Sequence, residues 1–454
     1  MAKIKKVFEC KKCGHTQNVW AGQCPECKSW GSLIEKVVTK ERISHEDFSD
    51  DIKSVKLNEI VLNKNDRIKS TYEEFDRVVG GGLVCDSVSI LTARPGAGKS
   101  TLLLQLSKSY AQEGKKVLYI SGEESESQIK SRAKRIIEDI PENIWILSTN
   151  SMNKAISEVK RTNADIIFID SIQTMQLKEF DSKAASPTQT IECTQACVEL
   201  AKDINKKRSF IIVGHMTKSG EMAGLRTLEH LVDTVLFLEG EPEEDLRMLT
   251  SSKNRFGRTG EIGLFSMQEE GLIEIKNPGE YFITQREKPV EGSSLCVIKE
   301  GSRILEVEIE SLVSKSFQNY PQRIGDSLRK DELNTLISIL QERCGLNLYD
   351  KDVIIKTTGG IKISNSDADL SIMMSIASSL LKKTLSSKIC FIAEVGLTGE
   401  LKKVRQINNR LSEIERLGYK RCYVAKKSTD EKYKTLEVLQ MESIKDVLKN
   451  ENFI

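Results

Sequence analysis

The sequence predicts an α/β protein built on a doubly wound parallel sheet, with a small metal-binding module ahead of it and a mixed α and β block behind. Three observations carry this. Short apolar runs alternate with amphipathic stretches between about residues 61 and 275, "ARPGAGKST" at 93–101 joins one such run to a helical stretch, and two C-x-x-C pairs stand near the N-terminus. Strands alternating with helices favour a parallel sheet, because each crossover must return across a covered face.

The module comes first. Cys10 and Cys13 form one C-x-x-C pair and Cys24 and Cys27 the other, with ten residues between them. Four thiolates so spaced can surround one tetrahedral Zn2+, whose binding supplies folding energy that a segment of about 30 residues cannot draw from a core. His15 lies in the intervening loop, but the cysteines already fill the shell. Lys3, Lys5, Lys6, Lys11 and Lys12 make this end basic, which suits DNA, an acidic partner or plain solvation. Residues 33–60, with the run "TKERISHEDFSDDIK", are polar and read as a linker. The other cysteines read as core; Cys193 and Cys197, four apart on a predicted helix near Ile191, Leu200 and Ile204, are expected to be buried together.

Within 61–275, "SVSILTA", "KVLYIS", "DIIFID" and "SFIIVGH" are the expected strands, and "STLLLQLSKSYAQEG" is a helix closed by Gly114. Between the first strand and that helix, Arg94, Pro95, Gly96, Ala97, Gly98, Lys99, Ser100 and Thr101 form a phosphate-binding loop. Its glycines let backbone N–H groups turn inward at a helix N-terminus, Lys99 adds a charge for the β and γ phosphates, and the Ser100 hydroxyl can hold Mg2+. Ala93 occupies the place of the pattern's first glycine, so that position must accept a Cβ. Asp170, ending "DIIFID", is placed to reach Mg2+ through water. Glu123 and Glu124 end "VLYISGEES", where a carboxylate can activate the attacking water or merely belong to a surface acidic pair. Lys253, Arg255 and Arg258 in "SSKNRFGRTG" admit three uses: a grip on a nucleic-acid backbone, a reach to a nucleotide held by another subunit, or a solvated loop.

A second joint, 276–292, carries Pro278, Gly279, Pro289 and Gly292, and the block from about 293 to 454 opens with strand-like "LCVIKEG" and "ILEVEIESL". Of 454 residues, 68 basic and 66 acidic side chains nearly cancel, so any nucleic-acid contact must come from local patches. No run resembles a secretory signal or a membrane span, and an odd cysteine count of 11 argues against a disulfide framework; an intracellular, cytoplasmic protein is expected.

"CKKCG", "GQCPECKSWGSL", "PGAGKSTLLLQ", "YISGEES", "IDSIQT", "GHMTKSGEMAG", "LEHLVDTVLFLEG" and "KNRFG" together resemble the bacterial RadA (Sms) family of recombination and repair ATPases over nearly the whole chain. The resemblance implies a RecA-like P-loop core in a ring-forming, DNA-stimulated ATPase. It implies Lys99 and Ser100 as nucleotide and Mg2+ ligands, Asp170 as the Walker B acid, Glu123 as the catalytic base and His215 in a nucleotide-sensing segment. The K-x-R of Lys253 and Arg255 falls where related ring helicases send cations to a neighbour's γ phosphate, leaving Arg258 as the bystander.

"DVIIKTTGGIKISNSDADLSIMMSIASSL" and "FIAEVGLTGELKKVRQINNRLSEIERLG" resemble the α+β proteolytic domain of Lon. An ATP-dependent serine protease is therefore an alternative, but the nucleophile falls at Asp367 and its lysine at Asn408, neither competent; Ser366 is one residue away. Lys402, Lys403, Arg405 and Arg410 are the basic residues of this block considered for DNA. A zinc-dependent adaptor switched by ATP is a further alternative. The reading as a whole is a DNA-dependent ATPase using ATP, Mg2+ and Zn2+, a hexameric ring on single-stranded and branched DNA that promotes branch migration or unwinding with RecA as partner and no membrane.

Overall fold

The computed structural model describes residues 5–12, 16–17, 20–38, 56, 58, 67–215, 225–240, 244–318, 320–363 and 365–454. Two compact units divide the chain, 1–63 and 64–454. In the first, the antiparallel strands Thr16–Gln17, Lys5–Cys10 and Leu33–Val38 lie side by side in that order.

The larger unit holds a nine-stranded sheet. Its order is Gly271–Glu274, Ile262–Gln268, Leu246–Asn254, Thr234–Glu239, Val88–Ala93, Ser209–His215, Ile166–Asp170, Val117–Ser121 and Ile144–Ser148. The last six in that order are mutually parallel, and the first three form an antiparallel extension. The four strands expected from sequence are therefore neighbours in the parallel part. Their apolar runs are unbroken because helices cover both faces. On one face Leu91, Tyr119 and Phe168 pack with the helices Glu73–Val79, Lys99–Gln112 and Glu126–Ile136. On the other, Ile90, Ile120 and Ile169 pack with Met152–Thr162, Pro187–Ala201 and Leu225–Leu231. Gly114, at φ +78°, turns the chain after Lys99–Gln112, its N–H donating to the Ala111 carbonyl at 3.0 Å. Cys193 and Cys197 are fully buried in the second core, and burial pushes the Cys193 thiol up to about 12; Ile204, by contrast, is 77% exposed, beyond the end of the helix.

From 293 onward a mixed seven-stranded sheet runs Arg323–Gly325, Lys351–Thr357, Arg303–Lys315, Ser293–Glu300, Ile389–Ile392, Arg421–Ala425 and Glu437–Met441. Its main core, under the helices Lys330–Cys344, Asp369–Leu381 and Ile444–Asn450, is continuous with Leu246, Ile262, Leu264 and Ile275 of the antiparallel extension. Segment 276–292 contributes to that core: it holds the short helix Pro278–Phe282, and Phe282 is fully buried. Glu74, buried beside the extension, accepts from the Leu264 N–H at 2.9 Å and pairs with Arg303, so one carboxylate ties both sheets.

Phe282→Ala is expected to destabilise this shared core by about 3–5 kcal/mol, the range for deleting a buried phenylalanine. Urea unfolding followed by fluorescence and circular dichroism checks it.

Candidate functional site

The candidate nucleotide site is built where three parallel strands end together. Ala93 closes the strand before the loop, 2% exposed, and its φ is not positive. That is why a Cβ is tolerated where the loop pattern has glycine. Gly96 and Gly98 do need their freedom, at φ +81° and +103°, and a Cβ on Gly98 would stand 2.4 Å from Met267 Cε. Helix Lys99–Gln112 begins directly after them, presenting unpaired N–H groups toward an anion.

Lys99, 8% exposed, donates to the carbonyls of Ala93 at 3.1 Å and Arg94 at 3.3 Å. Burial pulls its ammonium below the ordinary lysine range, while Asp170 and Glu123 pull the other way. The Ser100 hydroxyl donates to Asp170 Oδ2 at 2.7 Å, and so does the Tyr119 hydroxyl at 2.9 Å. A hydroxyl and a carboxylate side by side form the oxygen set that Mg2+ prefers, so these residues fit that ion.

The structure separates the two glutamates. Glu123 Oε1 accepts from the Ser171 hydroxyl at 2.8 Å and lies 3.0 Å from His215 Nε2, at a strand end beside the loop strand. Glu124 instead pairs with Arg132 at 2.5 Å. Gly122 allows this turn: a Cβ there would stand 2.0 Å from Thr174 Oγ1. Of "GHMTKSG", residues 216–220 lie outside the described residues.

Lys253 and Arg255 are placed elsewhere. Lys253, still within Leu246–Asn254, pairs with Val235, which pairs with Ile90. That level is three strand positions, about 10 Å, before the phosphate loop begins, in the middle of the loop strand. Lys253 Nζ donates to the carbonyls of Glu229 and Val232, holding the end of helix Leu225–Leu231. Arg255 pairs with Asp233 at 3.0 Å while its side chain stays 50% exposed. Arg258 lines a polar cleft of about 1070 Å3 along 276–290 and the C-terminal block.

In that block, Arg410 is 2% exposed and paired with Asp367. It is thus removed from the basic residues that could face DNA, among which Lys402, Lys403 and Arg405 are exposed. Asn408 donates to Glu431 at 2.6 Å.

In the first unit, the sulfurs of Cys10, Cys24 and Cys27 lie within 4.8 Å of one another, Cys10 and Cys27 at 3.6 Å. Zn–S bonds of about 2.3 Å in a tetrahedron space sulfurs by about 3.8 Å, so the set fits Zn2+. The fourth predicted ligand, Cys13, and His15 lie outside the described residues. Sequence reading missed Tyr119 and Ser171, which position the two carboxylates, because a tyrosine inside an apolar strand and a serine just past a strand end carry no signal of their own.

Known proteins match both regions of the chain. A family model described as AAA domain matches residues 58–221, and one described as rubredoxin metal binding domain matches 8–35. A Bacillus subtilis protein named DNA repair protein RadA is 38% identical over 99% of this chain and 99% of its own length. Proteins of that name from Listeria monocytogenes and Campylobacter jejuni are 37% and 38% identical over 99% and 95% of this chain, and 99% and 96% of their own.

One zinc per chain is expected by atomic absorption, and its loss in Cys24→Ala; a metal-free, folded native preparation would contradict the site.

Proposed function

The chain belongs to the RadA family of DNA repair proteins, and from that premise we propose that it is a DNA-dependent ATPase working as a ring on single-stranded and branched DNA. Carrying the reading is the convergence of Lys99, Ser100, Asp170 and Glu123 at one sheet edge. The loop N–H groups and Lys99 bind and orient the phosphates. Ser100 and Asp170 would hold Mg2+, which would supply positive charge against the phosphates. Glu123, steadied by Ser171 and His215, takes the proton of the water that attacks the γ phosphate in line with the leaving oxygen.

Ring assembly accounts for Arg255. Strand register keeps it from its own loop, and its half-exposed guanidinium suits a neighbour's γ phosphate. Lys253 stands beside it but first has to leave the helix-end carbonyls. An arginine supplied this way meets charge that develops in the transition state.

DNA contact in this reading falls to exposed cations such as Lys402, Lys403 and Arg405, and hydrolysis drives branch migration or unwinding in the cytoplasm. The zinc module would meet RecA; Trp20 and Trp30, 58% and 78% exposed, give it the aromatic surface that docking sites favour. The domain division at 276–292 and a Lon-like fold for 293–454 complete the proposal. A protease is disfavoured because the Asp367–Arg410 pair occupies the place of the nucleophile and leaves no activated hydroxyl.

Single-stranded DNA should raise the ATPase rate severalfold, while an adaptor would turn over slowly with or without it. Glu123→Gln is expected to keep ATP affinity and lower kcat by about 10²–10⁴. Arg255→Ala should lower kcat by about 10³ or more, and mixing it with Lys99→Ala subunits should recover some turnover at interfaces with both halves intact.

A further inference from the structure

Arg247 lies beneath the phosphate loop, 2% exposed, near the start of strand Leu246–Asn254. Its Nε donates to the Ala97 carbonyl at 3.1 Å, and its Nη1 to the carbonyls of Leu246 at 2.9 Å and Glu244 at 2.5 Å. Burying a permanent charge is costly without hydrogen bonds. Here the bonds go to carbonyl oxygens, which satisfy the donors without cancelling the charge.

Which carbonyl is held matters. The peptide joining Ala97 to Gly98 is planar and trans, so its N–H points opposite to its C=O. Drawing the Ala97 carbonyl toward Arg247 therefore turns the Gly98 N–H away from the core, to the side where a helix N-terminus receives phosphate. Gly98 caps helix Lys99–Gln112 at φ +103° and ψ 18°, a conformation in which only that one peptide orientation joins loop to helix. The antiparallel extension also grips the loop's helix at Gln105, whose side chain pairs with the Leu272 N–H and carbonyl, both at 3.0 Å. The floor under the loop is thus hydrogen-bonded to the loop and its helix at two points, and Arg247 is the charged one.

We propose that Arg247 is a positioning residue for the nucleotide phosphates: it fixes the Ala97–Gly98 peptide so that the Gly98 N–H donates to a phosphate oxygen. This rests on the reading of residues 93–101 as a nucleotide site.

The test is ADP·Mg binding to the full-length protein by calorimetry, with a thermal melt of each variant. Arg247→Met is expected to weaken ADP about tenfold, the worth of one hydrogen bond to a charged group. Arg303→Met removes another largely buried arginine, paired with Glu74. It should lower the melting temperature and leave ADP affinity unchanged. Lys99→Ala gauges the underlying reading and should abolish ADP binding. Wild-type ADP affinity in Arg247→Met, with Lys99→Ala defective, overturns the role of Arg247 alone. Equal losses in Arg247→Met and Arg303→Met overturn it too, since the effect is then general instability. Normal binding by Lys99→Ala overturns the nucleotide reading itself. Should Arg247→Met not fold, Arg247→Gln decides: a severalfold weaker affinity supports the proposal and an unchanged one refutes it.

Discussion

Ile212 faces both Ile90 and Ile169 across the sheet, and Ser121 faces Asp170, so the strands bearing the phosphate loop, Asp170 and Glu123 all end at one edge. Every distance in the site depends on this register. A slip of one residue would move a carboxylate by about 3.3 Å and turn its side chain to the other face. The register is held by burial on both faces, because Phe168 and Ile169 enter opposite cores.

The antiparallel extension gives the nucleotide-binding sheet its second end. Strand Leu246–Asn254 runs against its parallel neighbour Thr234–Glu239. Arg247 therefore meets the loop's Ala97 carbonyl, while Lys253, six residues on and past an irregularity in the ladder, lies level with Ile90 in the middle of the loop strand. One strand, irregular at Ser252, thus runs from the floor of the phosphate loop toward the other end of the sheet. The extension is itself fixed from behind, because Ile262, Leu264 and Ile275 belong to the core of the C-terminal block.

The C-terminal block carries its own constraint. Arg410 and Asp367 are a nearly buried pair, with Arg410 also donating to the Val297 carbonyl at 3.2 Å. Removing one partner from such a pair leaves an uncompensated charge, which makes it structural glue rather than a reacting centre.

Much of this was legible in the chain alone. The strands before and after the phosphate loop, the loop, Asp170 and the cysteine pairs rest on local rules: apolar runs of strand length, glycines where φ must be positive, and ligand spacing. The same rules placed Ile204 in the core, where the helix in fact stops short of it, and counted Arg410 among surface cations, although its aliphatic stem and charge are drawn inward by Asp367. They also left Glu123 and Glu124 equivalent until a resemblance chose between them; in the fold Arg132 claims Glu124 and leaves Glu123 to Ser171 and His215. Sequence by itself determined which segments form strands, where the loop between strand and helix lies and that Cys10, Cys24 and Cys27 gather, because backbone preference and side-chain periodicity act over a few residues. Only the tertiary structure decided that Arg247 lies under the loop and Arg255 far from it, because strand order and direction are set by packing between segments distant in the chain.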